Sequence, residues 1–170
     1  MLKALRLAVA STALLLLAGC AKMYVITQHL GQPLAAPTTI AIGTIADGLP
    51  VDMSSEKKPK PQDIETFRRY LNEEVAKKAG LRVLQEGDGE ALYEVQGSLL
   101  EYARGSGAAR FIIGFGAGTA RTTVALKLID KKTGETVFGG NFSGQVSGGL
   151  QSGDQMFRMV AANFAKELEK

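Results

Sequence analysis

Residues 122–146 read TTVALKLIDKKTGETVFGGNFSGQV, and this stretch decides the fold. Every second residue from Val124 to Leu128 is large and aliphatic, which is typical of a strand with one buried face. Residues 131–134 form a Lys-Lys-Thr-Gly turn, and a second strand-like run follows from Glu135 to Val146. Two such runs joined by a short turn that contains glycine predict an antiparallel hairpin.

Two segments outside this hairpin have helical periodicity. The first begins near Pro61 and ends near Gly80, and the second extends to the C-terminus. Proline in the first turn and glycine just beyond the last are common helix boundaries. Apolar residues that recur every three or four positions lie on one face of a helix. The predicted buried faces are Ile64, Phe67, Leu71, Val75 and Ala79 in the first helix, and Phe157, Val160, Phe164 and Leu168 in the second.

Three further runs, at 38–45, 81–84 and 92–103, are rich in β-branched or regularly spaced apolar residues, and each predicts a strand. Strands that follow one another directly favour an antiparallel meander. The predicted fold class is therefore α+β. We expect an antiparallel sheet of about five strands in the order β-α-β-β-β-β-α, with two amphipathic helices on one face.

The N-terminus predicts an export signal that ends at a lipid-modified cysteine. Lys3 and Arg6 precede an apolar run that ends at Leu17, and Ala18-Gly19 separate this leucine from Cys20, the only cysteine in the chain. This is the layout of a secretory signal peptide. The Leu-Ala-Gly-Cys ending resembles the bacterial lipobox, in which the cysteine becomes the first residue of the mature protein and carries lipid. A spanning helix needs about 20 apolar residues, and here polar residues follow too soon.

The chain is therefore predicted to have three parts. Residues 1–19 are a lipoprotein signal peptide, residues 20–37 a lipidated tether and residues 38–170 a periplasmic α+β domain. The residue after the cysteine is Ala21, and no aspartate follows that would retain the protein at the inner membrane. The predicted location is the periplasmic face of the outer membrane, where two or three acyl chains give stable anchoring.

Residues 105–118 are rich in glycine and also carry four large apolar side chains close together. The glycines lead into a strand instead of a helix, and no Gly-Lys-Ser/Thr follows, so we expect no nucleotide site. Two interpretations remain. The segment is either a connection whose apolar side chains are buried, or an exposed apolar patch with a cationic rim that contacts a protein or the membrane surface. The candidate partner contacts are Arg110, Phe111, Ile112, Ile113 and Phe115.

Residues for catalysis or metal binding do not cluster in the sequence. His29 is the only histidine and lies in the predicted tether, so we expect no metal, no cofactor and no Ser-His-acid triad. The formal net charge of +3 includes two basic residues of the leader, and no basic tract predicts nucleic-acid binding. Carboxylates are the remaining catalytic candidates, but none has a sequence setting that would raise its pKa. They are Asp63, Glu65, Glu73, Glu74, Asp88, Glu90, Asp130 and Glu135.

One resemblance rests on Gly105–Gly118, on the strand Thr123–Asp130 and on the Thr133-Gly134-Glu135 turn. Together they resemble a family of Gram-negative lipoproteins that is catalogued only as a domain of unknown function. Its members share the lipobox, an opening Ile-x-Ile strand, an arginine before a Gly-Phe-Gly-Ala-Gly motif and a C-terminal helix. The resemblance implies no catalytic residues. The fold is also similar to periplasmic domains of curli-secretion lipoproteins and of lipoproteins that activate peptidoglycan synthases.

Three functions stay open at this point. The predicted one is a non-enzymatic lipoprotein, anchored in the outer membrane, whose periplasmic domain contacts an envelope protein. An alternative is a lipid-tethered cell-envelope hydrolase that uses carboxylates. A third is a structural subunit of an envelope assembly, in which residues 111–115 insert into a neighbour.

Overall fold

The computed structural model describes residues 24–31, 33–85, 90–104, 119–146 and 154–169. Over these ranges the chain has the predicted α+β fold, with two helices and a six-stranded mixed sheet. The helices are α1 (Pro61–Ala76) and α2 (Gln155–Glu167), and the strands are β1 (Tyr24–Gln28), β2 (Thr38–Asp47), β3 (Leu81–Leu84), β4 (Tyr93–Ala103), β5 (Ala120–Asp130) and β6 (Thr136–Val146).

The predicted hairpin is confirmed as β5 and β6, which pair antiparallel along most of their length. The side chains from Val124 to Leu128 that were expected inside are fully buried. In the turn, an Asp130 carboxylate oxygen accepts hydrogen bonds from the backbone N–H groups of Lys132, at 2.7 Å, and of Thr133, at 3.1 Å. Gly134 follows with φ of 75°, a conformation that glycine adopts without steric cost.

The sheet is mixed and has six strands, so it differs from the predicted antiparallel sheet of about five strands by one strand and by the direction of β2. The strand order is β1-β6-β5-β4-β2-β3. Strand β2 is parallel to both of its neighbours, while the other pairs are antiparallel. Helix α1 makes the crossover from β2 to β3 that a parallel pair requires. Alternation identifies the buried face of a strand but carries no information about its direction.

Strand β1 adds a sixth strand at the edge of the sheet, beside β6. The Tyr24 ring stacks on Phe142 with centroids 5.6 Å apart, and its hydroxyl donates to Glu167 in α2 at 2.6 Å. Among the described residues, the sheet therefore begins at Tyr24, within the segment predicted to be a tether.

Both helices pack on one face of the sheet, as predicted. Phe67 and Leu71 of α1 and Phe164 of α2 are fully buried, and Leu168 just beyond α2 is 3% exposed. Phe164 lies 5.4 Å from Phe142 between ring centroids. Helix α2 approaches β6 so closely that a Cβ at Gly144 would overlap the carbonyl of Met156. The lack of a side chain at Gly144 thus sets the distance between helix and sheet.

Strand β4 contains a bulge at Leu99–Glu101, where Leu100 is the extra residue. Leu99 pairs with Val124 on the inner face, and Glu101 pairs with Thr123 on the outer face. Because the extra residue shifts the alternation, Tyr102 faces the core and is 5% exposed.

The two ends of the sheet differ, and we name them by the start of β1. At the proximal end β5 begins and β4 and β6 end, while β1 begins and β2 ends about four residues short of it, level with Phe142 of β6 and Leu99 of β4. Helices α1 and α2 also begin there. Asp63 in the first turn of α1 contacts Arg104, and Phe157 in the first turn of α2 stacks on Tyr102. At the distal end lie the turn between β5 and β6 and the starts of β2, β3 and β4.

Candidate functional site

At the proximal end, Tyr102 and Arg104 from the end of β4 converge on Asp63 in the first turn of α1. The Arg104 guanidinium donates to an Asp63 oxygen at 2.5 Å and, through Nε, to the Tyr102 hydroxyl at 2.9 Å. The Tyr102 hydroxyl donates to the same Asp63 oxygen at 3.2 Å. The bulge in β4 contributes to this triangle, because Tyr102 would face away from the helices if Leu100 occupied a regular paired position in the strand.

The charges of this cluster are fixed near neutral pH. Burial acts to raise the pKa of Asp63, but the backbone N–H of Lys60 and the Arg104 guanidinium hold this pKa below its usual value. Hydrogen bonds with Tyr102 and Asp63 raise the pKa of Arg104, and burial raises the pKa of Tyr102. The cluster is therefore an ion pair with a neutral tyrosine, and Asp63 cannot act as a proton donor at neutral pH.

A second group of side chains joins α1 to α2 at the same end. The Tyr70 hydroxyl donates to Asp154 at 2.5 Å, and this hydrogen bond is the main reason that the pKa of Tyr70 is raised. The guanidinium groups of Arg69 and Arg158 each lie 4.7 Å from the Tyr70 ring centre, in cation–π geometry. Both arginines also bind Glu73, at 2.8 Å and 3.0 Å. Asp154 directly precedes α2, and its side chain makes no capping hydrogen bond.

A cleft of about 370 Å³ lies between these two groups. Two carboxylates line it, but Asp63 is bound to Arg104 and Asp154 to Tyr70. The cleft therefore offers no free acid–base pair at these positions. Its lining residues are Asp63, Thr66, Tyr102, Arg104, Asp154, Met156 and Phe157.

A larger groove of about 750 Å³ follows α1 beside the end of β3. Two of the candidate catalytic acids, Glu65 and Glu73, line it. They lie eight residues apart on one helix, about 12 Å along its axis, whereas paired glycosidase carboxylates are about 5–9.5 Å apart. Glu65 also pairs with Arg68 at 3.4 Å and Glu73 with Arg69 at 2.8 Å. The hydrolase hypothesis gains no catalytic pair in this groove.

The site residues named from the sequence lie outside the described residues. They are Cys20, Arg110, Phe111, Ile112, Ile113 and Phe115. Lipidation and partner contact accordingly stay predictions. Of the described residues that flank these segments, Arg104 and Thr119 lie at the proximal end, and Tyr24 lies about four residues short of it, level with Phe142.

No group of three or more His, Cys, Asp or Glu side chains in the described ranges is arranged to hold a metal ion. No helix in the same ranges is both long and apolar enough to cross a membrane.

The sequence pattern gave no indication of the cluster around Asp63. From the sequence, Asp63 is one of the candidate catalytic acids, and Arg104 is the residue directly before the glycine segment. One signal was present, since an aspartate at the third helical position commonly accepts the N–H of the residue before the helix. That hydrogen bond, from Lys60 at 2.8 Å, is present. The bulge that brings Tyr102 and Arg104 to it has no comparable sequence signature.

Several solved structures are similar to this chain. PelC from Paraburkholderia phytofirmans, solved as a dodecamer, is 16% identical with a TM-score of 0.58, over 86% of this chain and 99% of PelC. Protein XCC0632 from Xanthomonas campestris is 9% identical with a TM-score of 0.50, over 85% of this chain and 88% of that one. Lipoprotein GNA1162 from Neisseria meningitidis is 10% identical with a TM-score of 0.45, over 76% and 97%. At these identities the first two show the fold alone.

Sequence comparison identifies the family of this chain. No protein with a curated description matches the chain. Residues 34–149 match the model of a family described as a domain of unknown function, DUF4410, and this range includes the glycine segment and the hairpin that carried the resemblance. Because the match spans more than half of the chain, the protein belongs to the family of the domain of unknown function DUF4410.

Proposed function

We propose that this protein is a lipid-anchored subunit of an assembly in the bacterial envelope, and that its first partner is another copy of itself. Its domain acts through contacts and not through catalysis. The lipobox at Cys20 supports the anchor. The fold shared with PelC, a protein solved as a dodecamer, supports self-assembly.

The observation that carries the proposal is an incomplete edge of the sheet. Strand β3 pairs only with Thr38–Ala41, so no described strand covers Ile42–Asp47 on that side of β2. An open edge is a template for pairing with another chain. The groove of about 750 Å³ beside α1 lies at this edge.

Arg68 in the groove supports the same interpretation. Its Nη2 atom donates to the carbonyl of Ile42 at 3.2 Å, which covers one acceptor of the open edge. Its Nε atom is buried and has no hydrogen-bond partner among the described residues. The Arg68 side chain as a whole is 41% exposed, so its guanidinium group is accessible to an acceptor from a neighbouring copy.

The geometry of such a contact favours a ring. The open edge of β2 lies on one side of the sheet, and β1 forms the edge on the opposite side. A contact between two different surfaces of identical subunits is head-to-tail, and it closes into a ring when the rotation between subunits allows it.

The assembly is tested by the mass of the purified full-length protein in detergent, measured by light scattering. We expect a multiple of the subunit mass, and Arg68→Glu should reduce it because the charge in the groove is reversed. Lys77→Glu is the matched control, since Lys77 lies beyond the other end of α1 and is 59% exposed. A wild-type protein that is monomeric at high concentration would refute self-assembly.

The anchor is tested by labelling cells with a fatty-acid analogue. Wild-type protein should take up the label, and Cys20→Ser should lose both the label and signal-peptide cleavage, because the thiol is the site of lipid attachment. Label that persists in Cys20→Ser would contradict the proposed lipoprotein.

Residues 110–115 remain the proposed contact for an envelope protein other than a second copy. The described residues on either side of their segment, Arg104 and Thr119, both lie at the proximal end. Phe111→Ser combined with Phe115→Ser should leave the melting temperature unchanged and abolish capture of partners from membranes, if these side chains serve association. A strongly lowered melting temperature would show instead that they are buried in the monomer.

A further inference from the structure

We propose that the proximal end of the domain rests on the surface of the membrane that holds the lipid on Cys20, with Val51 at the lipid–water interface. This inference rests on the proposed lipid anchor. It adds an orientation, because it states which end of the domain touches the bilayer.

The first step is the length of the connection. Only residues 21–23 separate Cys20 from the first residue of β1. An extended chain spans at most about 3.6 Å per residue, so Tyr24 lies within about 14 Å of the acylated cysteine. Tyr24 is itself held by its stacking on Phe142 and its hydrogen bond to Glu167. The start of β1 is therefore kept close to the bilayer surface.

The second step is the distribution of exposed apolar side chains. Among the described residues, the large apolar side chains that are exposed are Val25 (65%), Val51 (98%), Leu92 (56%) and Leu100 (41%). Leu100 near the end of β4 and Val51 in the loop after β2 lie toward the proximal end, Val25 pairs with Asn141 in the middle of β6, and Leu92 lies at the distal end. An exposed apolar side chain contributes little to the monomer's core. Its transfer from water into a lipid–water interface is favourable.

The third step is the position of Val51, which is fixed relative to the sheet. Val51 belongs to the loop that follows β2. The Asp47 carboxylate at the end of β2 accepts the N–H of Leu49 at 3.0 Å and pairs with Lys58 at 3.1 Å. The N–H of Met53 closes a turn on the carbonyl of Pro50 at 3.1 Å. Val51 therefore projects from a short turn whose base is attached to the sheet.

The two contacts lie on opposite sides of the sheet. Strands β6, β5 and β4 lie between β1 and β2, which places the two strands about 19 Å apart at the usual strand spacing. One contact, at the start of β1, would leave the domain free to tilt. A second contact at Val51 removes that freedom and brings the whole proximal end onto the bilayer.

The test uses the full-length acylated protein in vesicles of phosphatidylethanolamine and phosphatidylglycerol. Cys20 is the only cysteine and its sulfur carries lipid, so Val51→Cys and Leu92→Cys each add a single free thiol for a fluorescent label. Leu92 is the matched control, because it is an exposed apolar residue at the distal end. Lipids with a quencher in the head group should quench the label at position 51 several-fold more than the label at position 92.

Three outcomes would overturn the inference. Equal quenching at the two positions, with both variants floating with the vesicles, would refute the orientation and leave the anchor intact. A label at position 51 that is shielded from iodide in water but not quenched by the lipids would show that a protein covers Val51. Failure of both variants to float with the vesicles would refute the lipid anchor, and this inference with it.

Discussion

The distal end of the sheet is closed by a local turn, whereas the proximal end is joined by contacts between residues far apart in sequence. In the distal turn, Asp130 binds backbone groups two and three residues away. At the proximal end, Asp63 binds Arg104, 41 residues away, and Tyr70 binds Asp154, 84 residues away. The distal end thus takes its shape from nearby residues, while the proximal end depends on the completed fold.

The largest expected effect tests whether the two ends share one core. Phe157 lies near the proximal end and Phe138 near the distal end, and each is 2% exposed. Phe157→Ala and Phe138→Ala should each lower the free energy of unfolding by about 3–5 kcal/mol, because both leave cavities in the same core. Urea unfolding measures this loss, and a loss near zero for one variant alone would show that the ends are packed independently.

A smaller effect is expected from the ion pair at the proximal end. Asp63→Ala removes a helix cap and a partly exposed ion pair, and it should cost about 1–2 kcal/mol. Asp63→Asn can still accept the backbone hydrogen bond and should cost less. Thermal melts of the two variants separate these contributions. Equal losses would assign the whole effect to charge.

The same aspartate predicts a pH dependence. Because the pKa of Asp63 is lower in the folded than in the unfolded chain, its contribution is complete above the unfolded value of 3.8. It is lost as the pH falls below this value and through the folded pKa. Wild-type protein should therefore lose more stability than Asp63→Asn on acidification from pH 5 to pH 2 or so. Parallel losses in the two proteins would contradict the pKa shift.

The smallest effect is expected in the distal turn. Gly134 has φ of 75° and open space around the position of a Cβ, so Gly134→Ala should cost only the backbone strain, about 1 kcal/mol. Gly80 is the control, with a similar φ of 79° but a Cβ position 2.6 Å from the Cβ of Ala36. Gly80→Ala should therefore cost more in the same urea unfolding experiment. The reverse order would show that the distal turn is held by more than its local geometry.

The same contrast explains how much could be predicted from the sequence. The hairpin and both helix faces were predicted, because Val124, Phe67 and Phe164 belong to periodic patterns that a short window contains. The exception is Ala79, which was expected on the buried face but is exposed and lies beyond the end of α1 at Ala76. The parallel direction of β2 and the pairing of β1 with β6 were not, because both depend on strands remote in the chain. Of the candidate site, Asp63 and Arg104 were noticed separately, but their contact follows from a bulge and a helix start that meet only in three dimensions.

The bulge in β4 has a consequence for insertions and deletions in relatives of this protein. Leu100 has no partner in β5. Its neighbours Leu99 and Glu101 pair with consecutive residues of β5, so they alternate between the inner and outer faces as in a regular strand. A deletion of Leu100 would leave Leu99 and Tyr102 facing inward and Glu101 facing outward, in a strand without a bulge. A relative that is one residue shorter in β4 should therefore have its alignment gap at this position, and a gap placed elsewhere would exchange the inner and outer faces of the residues in between.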